Sequence, residues 1–131
     1  MKHLLLIPAA LTLLSACKDE TISGYADSTA TWALIELNGM AFPATATITF
    51  PKKGQIEGDG PCNSYSATQT APYPWFEAGP IVATERACAD LGAEADFFTA
   101  LGQVNIAEVS GGTLILSNKD GHELVFMTAP R

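Results

Sequence analysis

Histidine is the scarcest chemical group in this chain. There are two, and His3 sits in an apolar N-terminal run, which leaves His122 as the one imidazole for the body of the protein. Any Ser-His-Asp or Cys-His mechanism would have to use His122 as its base. It follows the turn Asn118-Lys-Asp-Gly121, where exposed or cross-strand side chains are usual, so we assign no catalytic residue. Cys62 and Cys88 admit three readings. With His122 they would supply three zinc ligands and lack a fourth; in an oxidising compartment they would form a disulfide; as free thiols they would be small buried hydrophobes. Glu85, Asp90, Glu94 and Asp96 form an acidic group without the Asp-x-Asp-x-Asp-Gly spacing of a calcium loop, and read as a solvated helix start. Gly58-x-Gly60 has no third glycine, lysine or helix behind it, so it is a turn and not a phosphate loop. The expectation is a protein with no cofactor and no bound metal.

The third cysteine points elsewhere. Met1-Lys-His3 is a short basic start, Leu4 to Leu14 is apolar, and Leu14-Ser-Ala-Cys17 closes the run. That is a signal peptide pattern over residues 1–16, too short to span a bilayer as a helix, which needs about 20 residues. Its ending resembles the lipobox of bacterial lipoproteins, in which the cysteine is acylated and the chain is cut before it. Cys17 is therefore the expected lipidation site. Cleavage leaves Cys62 and Cys88 as an even pair, which favours the disulfide. Lys18 follows the anchor, where an Asp would signal inner-membrane retention in enteric-type bacteria, so the expected location is the periplasmic face of the outer membrane. The formal net charge is −7 and becomes more negative once Lys2 is removed. Phosphate backbones repel such a chain, so nucleic acid is not an expected partner; a lipid anchor is insensitive to that repulsion.

Residues 17–30 are polar with only Ile22 and Tyr25 as bulky apolar groups, and predict a flexible tether. The domain is expected over residues 31–131. In Trp32-Ala-Leu-Ile-Glu-Leu37 the apolar alternation slips by one, as at a bulge. Ala44 to Phe50 alternates cleanly, and with strands at Gln55–Gly58 and Ser64–Gln69 predicts a meander. Thr70–Pro80 holds three prolines with Tyr73, Trp75 and Phe76, a long loop or edge strand whose aromatic residues form a candidate binding surface. Ala93–Leu101 changes to helical period, with Gly102 as its stop. Val104–Val109, Thr113–Ser117 and His122–Met127 predict a second meander. The fold class is mainly β with one α-helix, in a curled sheet or barrel that leaves no long exposed edge. Ala46, Ile48 and Phe50 should share a core with Phe97, Leu101, Leu114, Leu116, Leu124 and Phe126.

The ordered set Trp32-x-Leu34 with Asn38-Gly39, Gly58-x-Gly60-x-Cys62-Asn63-x-Tyr65, Thr84-x-x-x-Cys88, Glu94-x-x-Phe97-x-x-x-Leu101 and Leu114-x-Leu116 resembles the META domain, also called the HslJ-like domain. Ala67, Gln69 and Arg86 stand where the family commonly has glycine, an aromatic and methionine. The resemblance implies a compact β domain of bacterial envelope lipoproteins, linked in some members to heat or antibiotic stress, without established enzyme chemistry. The expected function is thus non-enzymatic envelope maintenance or stress tolerance through binding a protein partner. The alternative is a small-ligand-binding or hydrolytic protein with a pocket inside the barrel.

Mass spectrometry of the mature N-terminal peptide should show acyl chains on a chain beginning at Cys17, and Cys17→Ser should release the protein from the membrane fraction. A mature protein that retains Met1 refutes this assignment.

Overall fold

Strand alternation and short turns set most of the architecture in the computed structural model, which describes residues 18–128; the expected signal peptide and the expected lipidation site Cys17 lie outside these residues. Nine strands form: β1 (Trp32–Leu37), β2 (Met40–Ala41), β3 (Thr47–Lys52), β4 (Gly54–Asp59), β5 (Ser64–Gln69), β6 (Val82–Ala83), β7 (Ile106–Ser110), β8 (Thr113–Ser117) and β9 (Glu123–Thr128). One helix, α1 (Leu91–Gln103), stands between β6 and β7. All pairs are antiparallel, and the strands make one sheet in the order β6-β5-β4-β3-β1-β9-β8-β7, with β2 paired to the end of β1. The two expected meanders, β3-β4-β5 and β7-β8-β9, are therefore joined through β1. The expected slip in β1 is a register shift between Leu34 and Glu36 against β9.

The strand ladder is not closed, but the connection between β5 and α1 runs across the gap. Its first part lies on β7: Trp75 bridges Ile106, Ala107 N–H donates to Pro74 O at 2.8 Å, and Phe76 N–H donates to Asn105 O at 3.0 Å. Its second part lies on β5, where Gly79 N–H donates to Thr68 O at 2.8 Å, β6 pairs with Tyr65 and Ser66, and Thr84 N–H donates to Ser64 O at 3.1 Å. Prolines at 72, 74 and 80 prevent a regular strand here. The connection covers both sheet edges with isolated bonds instead.

The concave face is filled. Ile48, Phe50, Phe97, Leu101, Leu114, Leu116, Leu124 and Phe126 are fully buried and Ala46 nearly so, as expected, and Ile56 and Trp32 join them. Phe97 projects from α1 edge-on to Phe126 and Tyr65, at ring-centroid distances of 6.5 and 5.6 Å. These side chains occupy the space within the curled sheet where the alternative reading placed a pocket.

Three local expectations change. The stretch read as a tether packs on the domain from Asp19 onward. Ile22, in a short 3-10 turn (Ile22–Gly24), and Ala26 belong to the core, so two well-placed apolar residues outweigh a polar composition. The helix runs through Gly102 to Gln103, because an exposed helical glycine weakens a helix by only about 1 kcal/mol. The strand expected from Ala44 begins at Thr47, although Ala46 O still accepts a bond from Leu34 N–H at 2.9 Å.

Phe50→Ala and Phe126→Ala should each lower the unfolding free energy by about 3–5 kcal/mol. Urea denaturation measures this, and unchanged midpoints in both variants would refute the assigned faces.

Candidate functional site

The densest polar cluster surrounds the turn after β4. Glu94, on the first turn of α1, is 5 % exposed, and its carboxylate accepts from Cys62 N–H at 2.8 Å, Asn63 N–H at 2.7 Å and the Asn63 side-chain amide at 2.6 Å. Burial pushes the Glu94 carboxyl up, but the bonds from Asn63 and Cys62, aided by the charge of Arg86, outweigh it and hold the group below the usual carboxylate range. Asn63 is itself buried. Its Oδ1 accepts from the Thr84 hydroxyl at 2.8 Å and Arg86 N–H at 2.6 Å, and its amide donates to Arg86 O at 3.0 Å. Cys62 and Cys88 form a disulfide with Cα atoms 5.7 Å apart across 26 positions of sequence. Loop-closure entropy for a link of that span is worth roughly 3–4 kcal/mol.

This arrangement accounts for the glycines. A Cβ on Gly60 would stand 2.8 Å from Glu94 Oε2, and one on Gly58 would stand 2.1 Å from Thr47 O and 2.8 Å from the Tyr65 hydroxyl. That hydroxyl donates to Thr47 O at 2.7 Å. The Gly-Asp-Gly-Pro-Cys-Asn turn is thus a close-contact element. Cys62 and Cys88, bonded to each other, are not free to ligate zinc, and Glu94 is turned away from solvent, so the expected solvated helix start does not hold at that residue.

The aromatic loop divides. Phe76 is 1 % exposed and joins the core, so it drops out of the surface expected for it. Tyr73 is half-buried: its ring stacks on Tyr25 at 4.4 Å, its hydroxyl accepts from Val109 N–H at 3.0 Å, and its own N–H donates to Glu20 O at 2.7 Å. Trp75 is 57 % exposed. Gln69 holds the loop: its Oε1 accepts from Ala71 N–H at 3.0 Å and Glu77 N–H at 2.9 Å, and its amide donates to Ala71 O at 3.1 Å. An amide at this buried position satisfies three backbone groups that an aromatic would leave unpaired.

A concavity with a volume of about 620 Å3 lies outside the sheet, between α1 and the β1–β2 hairpin. Leu37, Met40, Phe42 and Ala100 form its apolar side; Asp96, Thr99, Gln103 and His122 supply polar groups. The hairpin owes its place to Asn38 and Gly39, both at positive φ (51° and 81°), and to the bond from Glu123 N–H to Asn38 Oδ1 at 2.9 Å. The sequence placed His122 beside a turn but gave no sign of this cleft, because the helix that forms one wall is 20 or more positions from either strand segment it faces.

A nine-stranded antiparallel sheet curled around one helix, tied by a bonded turn and a disulfide, defines a small β domain with its concavity on the outside. The profile of the META domain matches residues 26–131, and the chain belongs to that family. Solved structures share the fold. A crystal structure of a DUF4847 family protein from Bacteroides vulgatus superposes with a TM-score of 0.66 at 12% identity, covering 84% of this chain and 99% of that one. An NMR structure of a protein from Burkholderia xenovorans gives 0.61 at 21% identity, covering 78% and 83%. Among curated proteins none matches the sequence.

Glu94→Gln should lower stability at pH 7 by about 1–3 kcal/mol, since an amide cannot accept all three bonds. The folded carboxyl is depressed, so its contribution is complete above the unfolded glutamate value of about 4.3 and is lost as pH falls through the lower folded value. Urea melts of the native protein and the variant should converge across that window. A gap that stays constant on acidification refutes the ionised role of Glu94.

Proposed function

We propose that this chain is a lipid-anchored, non-enzymatic protein of the bacterial cell envelope, held on the periplasmic face of the outer membrane, that binds a protein partner in the cleft between α1 and the β1–β2 hairpin. The observation that carries the binding role is the position of its free space: the interior is filled by aromatic and aliphatic side chains, while the outer cleft exposes Met40 at 74 % beside polar groups. An exposed flexible thioether against a half-polar groove suits a protein surface. The disulfide supports an oxidising compartment, in agreement with the signal pattern ending at Cys17. Envelope maintenance under heat or antibiotic stress is the setting implied by resemblance to the family.

The volume of the cleft favours a second reading. It falls within the roughly 300–1,000 Å3 of small-molecule sites, and His122, Asp96 and Gln103 could orient a polar ligand. The two readings separate by crosslinking in living cells. A photoreactive residue in place of Met40 or Thr99 should give a discrete adduct heavier by a protein's mass, and the same residue in place of Val82, on the far edge, should not. Equal patterns from the three positions refute the partner in the cleft.

A further inference from the structure

Packing of residues 19–26 on the domain has a geometric consequence for the anchor. Asp19 is already fixed: its carboxylate accepts from Thr21 N–H at 2.8 Å and from the Thr21 and Ser23 hydroxyls. Between Cys17 and this folded segment stands Lys18 alone. One extended residue spans about 3.3–3.6 Å, so an acylated Cys17 would hold whatever surface surrounds Asp19 directly against the headgroups.

That surface is aromatic. Tyr25 is 47 % exposed, stacks on Tyr73, and Trp75 follows two residues later at 57 % exposure. Pro72, Pro74 and the Gln69 bonds make the loop rigid, so little order is lost when it is immobilised. Lys53 is near enough to Asp19 for its charge to act on that carboxyl, and Lys52 precedes it as the last residue of β3. Lys18, Lys52 and Lys53 are all exposed at this end of an otherwise strongly acidic protein. Tyrosine and tryptophan with flanking lysines are the side chains suited to a membrane–water boundary. Glu20 and Glu77, exposed nearby, keep the contact shallow.

We propose that the Tyr25–Tyr73–Trp75 end of the domain rests in the lipid interface of the membrane that holds acylated Cys17, with Lys18, Lys52 and Lys53 against phospholipid phosphates. The proposal rests on the anchor reading and deepens it, because it orients the domain. The register Trp32↔Ile48 puts Leu37 and the hairpin at one end of the β1–β3 pair and Lys52 at the other. In this orientation the hairpin wall of the cleft lies at the end of the β1–β3 pair remote from Lys52.

Quenching of tryptophan emission by brominated lipids tests this. Trp32 is 1 % exposed and enclosed by the domain, so Trp75 is the indole that lipid can reach. Full-length mature protein, with acylation verified by mass, would be reconstituted in phosphatidylethanolamine and phosphatidylglycerol vesicles with brominated chains. The expected result is a blue-shifted emission, a large part of which is quenched. Trp75→Ala should abolish that quenchable part, and a flexible Gly-Ser insertion between Lys18 and Asp19 should reduce it. Emission from acylated, vesicle-bound protein that matches the Cys17→Ser protein in buffer overturns the proposal and leaves the anchor standing. Mature protein without acyl groups on Cys17 overturns both. Quenching that survives Trp75→Ala also overturns the proposal, since the contact would then lie elsewhere.

Discussion

The carboxylate of Glu94 is the constraint on which the join between helix and sheet depends. The turn after β4 leaves the N–H groups of Cys62 and Asn63 pointing inward, and buried amide protons need acceptors. Glu94 supplies both from a neighbouring element, and the Asn63 side-chain oxygen is taken up by the loop that follows β6. The result is a three-way tie among β4–β5, the approach to α1, and α1 itself. Replacing water by these bonds is worthwhile only if their geometry is maintained, because a half-satisfied buried charge destabilises strongly. The Cys62–Cys88 bond maintains it, restraining the same two segments covalently.

Most of the sheet was legible because its signals are local. Thr113–Ser117 alternates with period two, and Asn38-Gly39 adopts the backbone that a tight hairpin demands. What stayed hidden is non-local. Glu94 appears in the motif Glu94-x-x-Phe97, but composition at a helix start reads any acidic residue as solvated, and its partners lie 31 and 32 positions earlier. Ile22 looked like a stray apolar residue in a polar stretch until β3 provided a surface for it. Phe76 and Trp75 are adjacent in sequence and have opposite fates, since a connection lying on a sheet edge alternates inside and outside as a strand does.

The edges of the sheet follow the same economy of local means. An open nine-stranded sheet would present two rows of unpaired backbone groups, a template for association. The proline-rich connection covers both with few bonds: residues 74–76 take β7, and residues 79–84 take β5. Proline cannot complete a ladder, so the closure remains irregular and leaves Trp75 pointing outward. Gln69 is the side chain that fixes the start of this closure.

A domain of this size cannot be both well packed and hollow. Strands of five or six residues enclose only a narrow space, and Phe50, Phe97 and Phe126 with the surrounding leucines fill it. Emptying it for a ligand would remove the apolar burial on which a small core depends. Free space is therefore found where elements meet at the surface, and the rigid places are those already bonded for structural reasons. The cleft sits between a helix pinned by Glu94 and a hairpin pinned by Asn38; the aromatic end is pinned by Gln69 and by Tyr25 against Tyr73. In the proposed orientation the aromatic surface serves the lipid and the cleft serves the partner, with the hairpin at the end of the β1–β3 pair remote from Lys52. A single surface close to the anchor could not serve both.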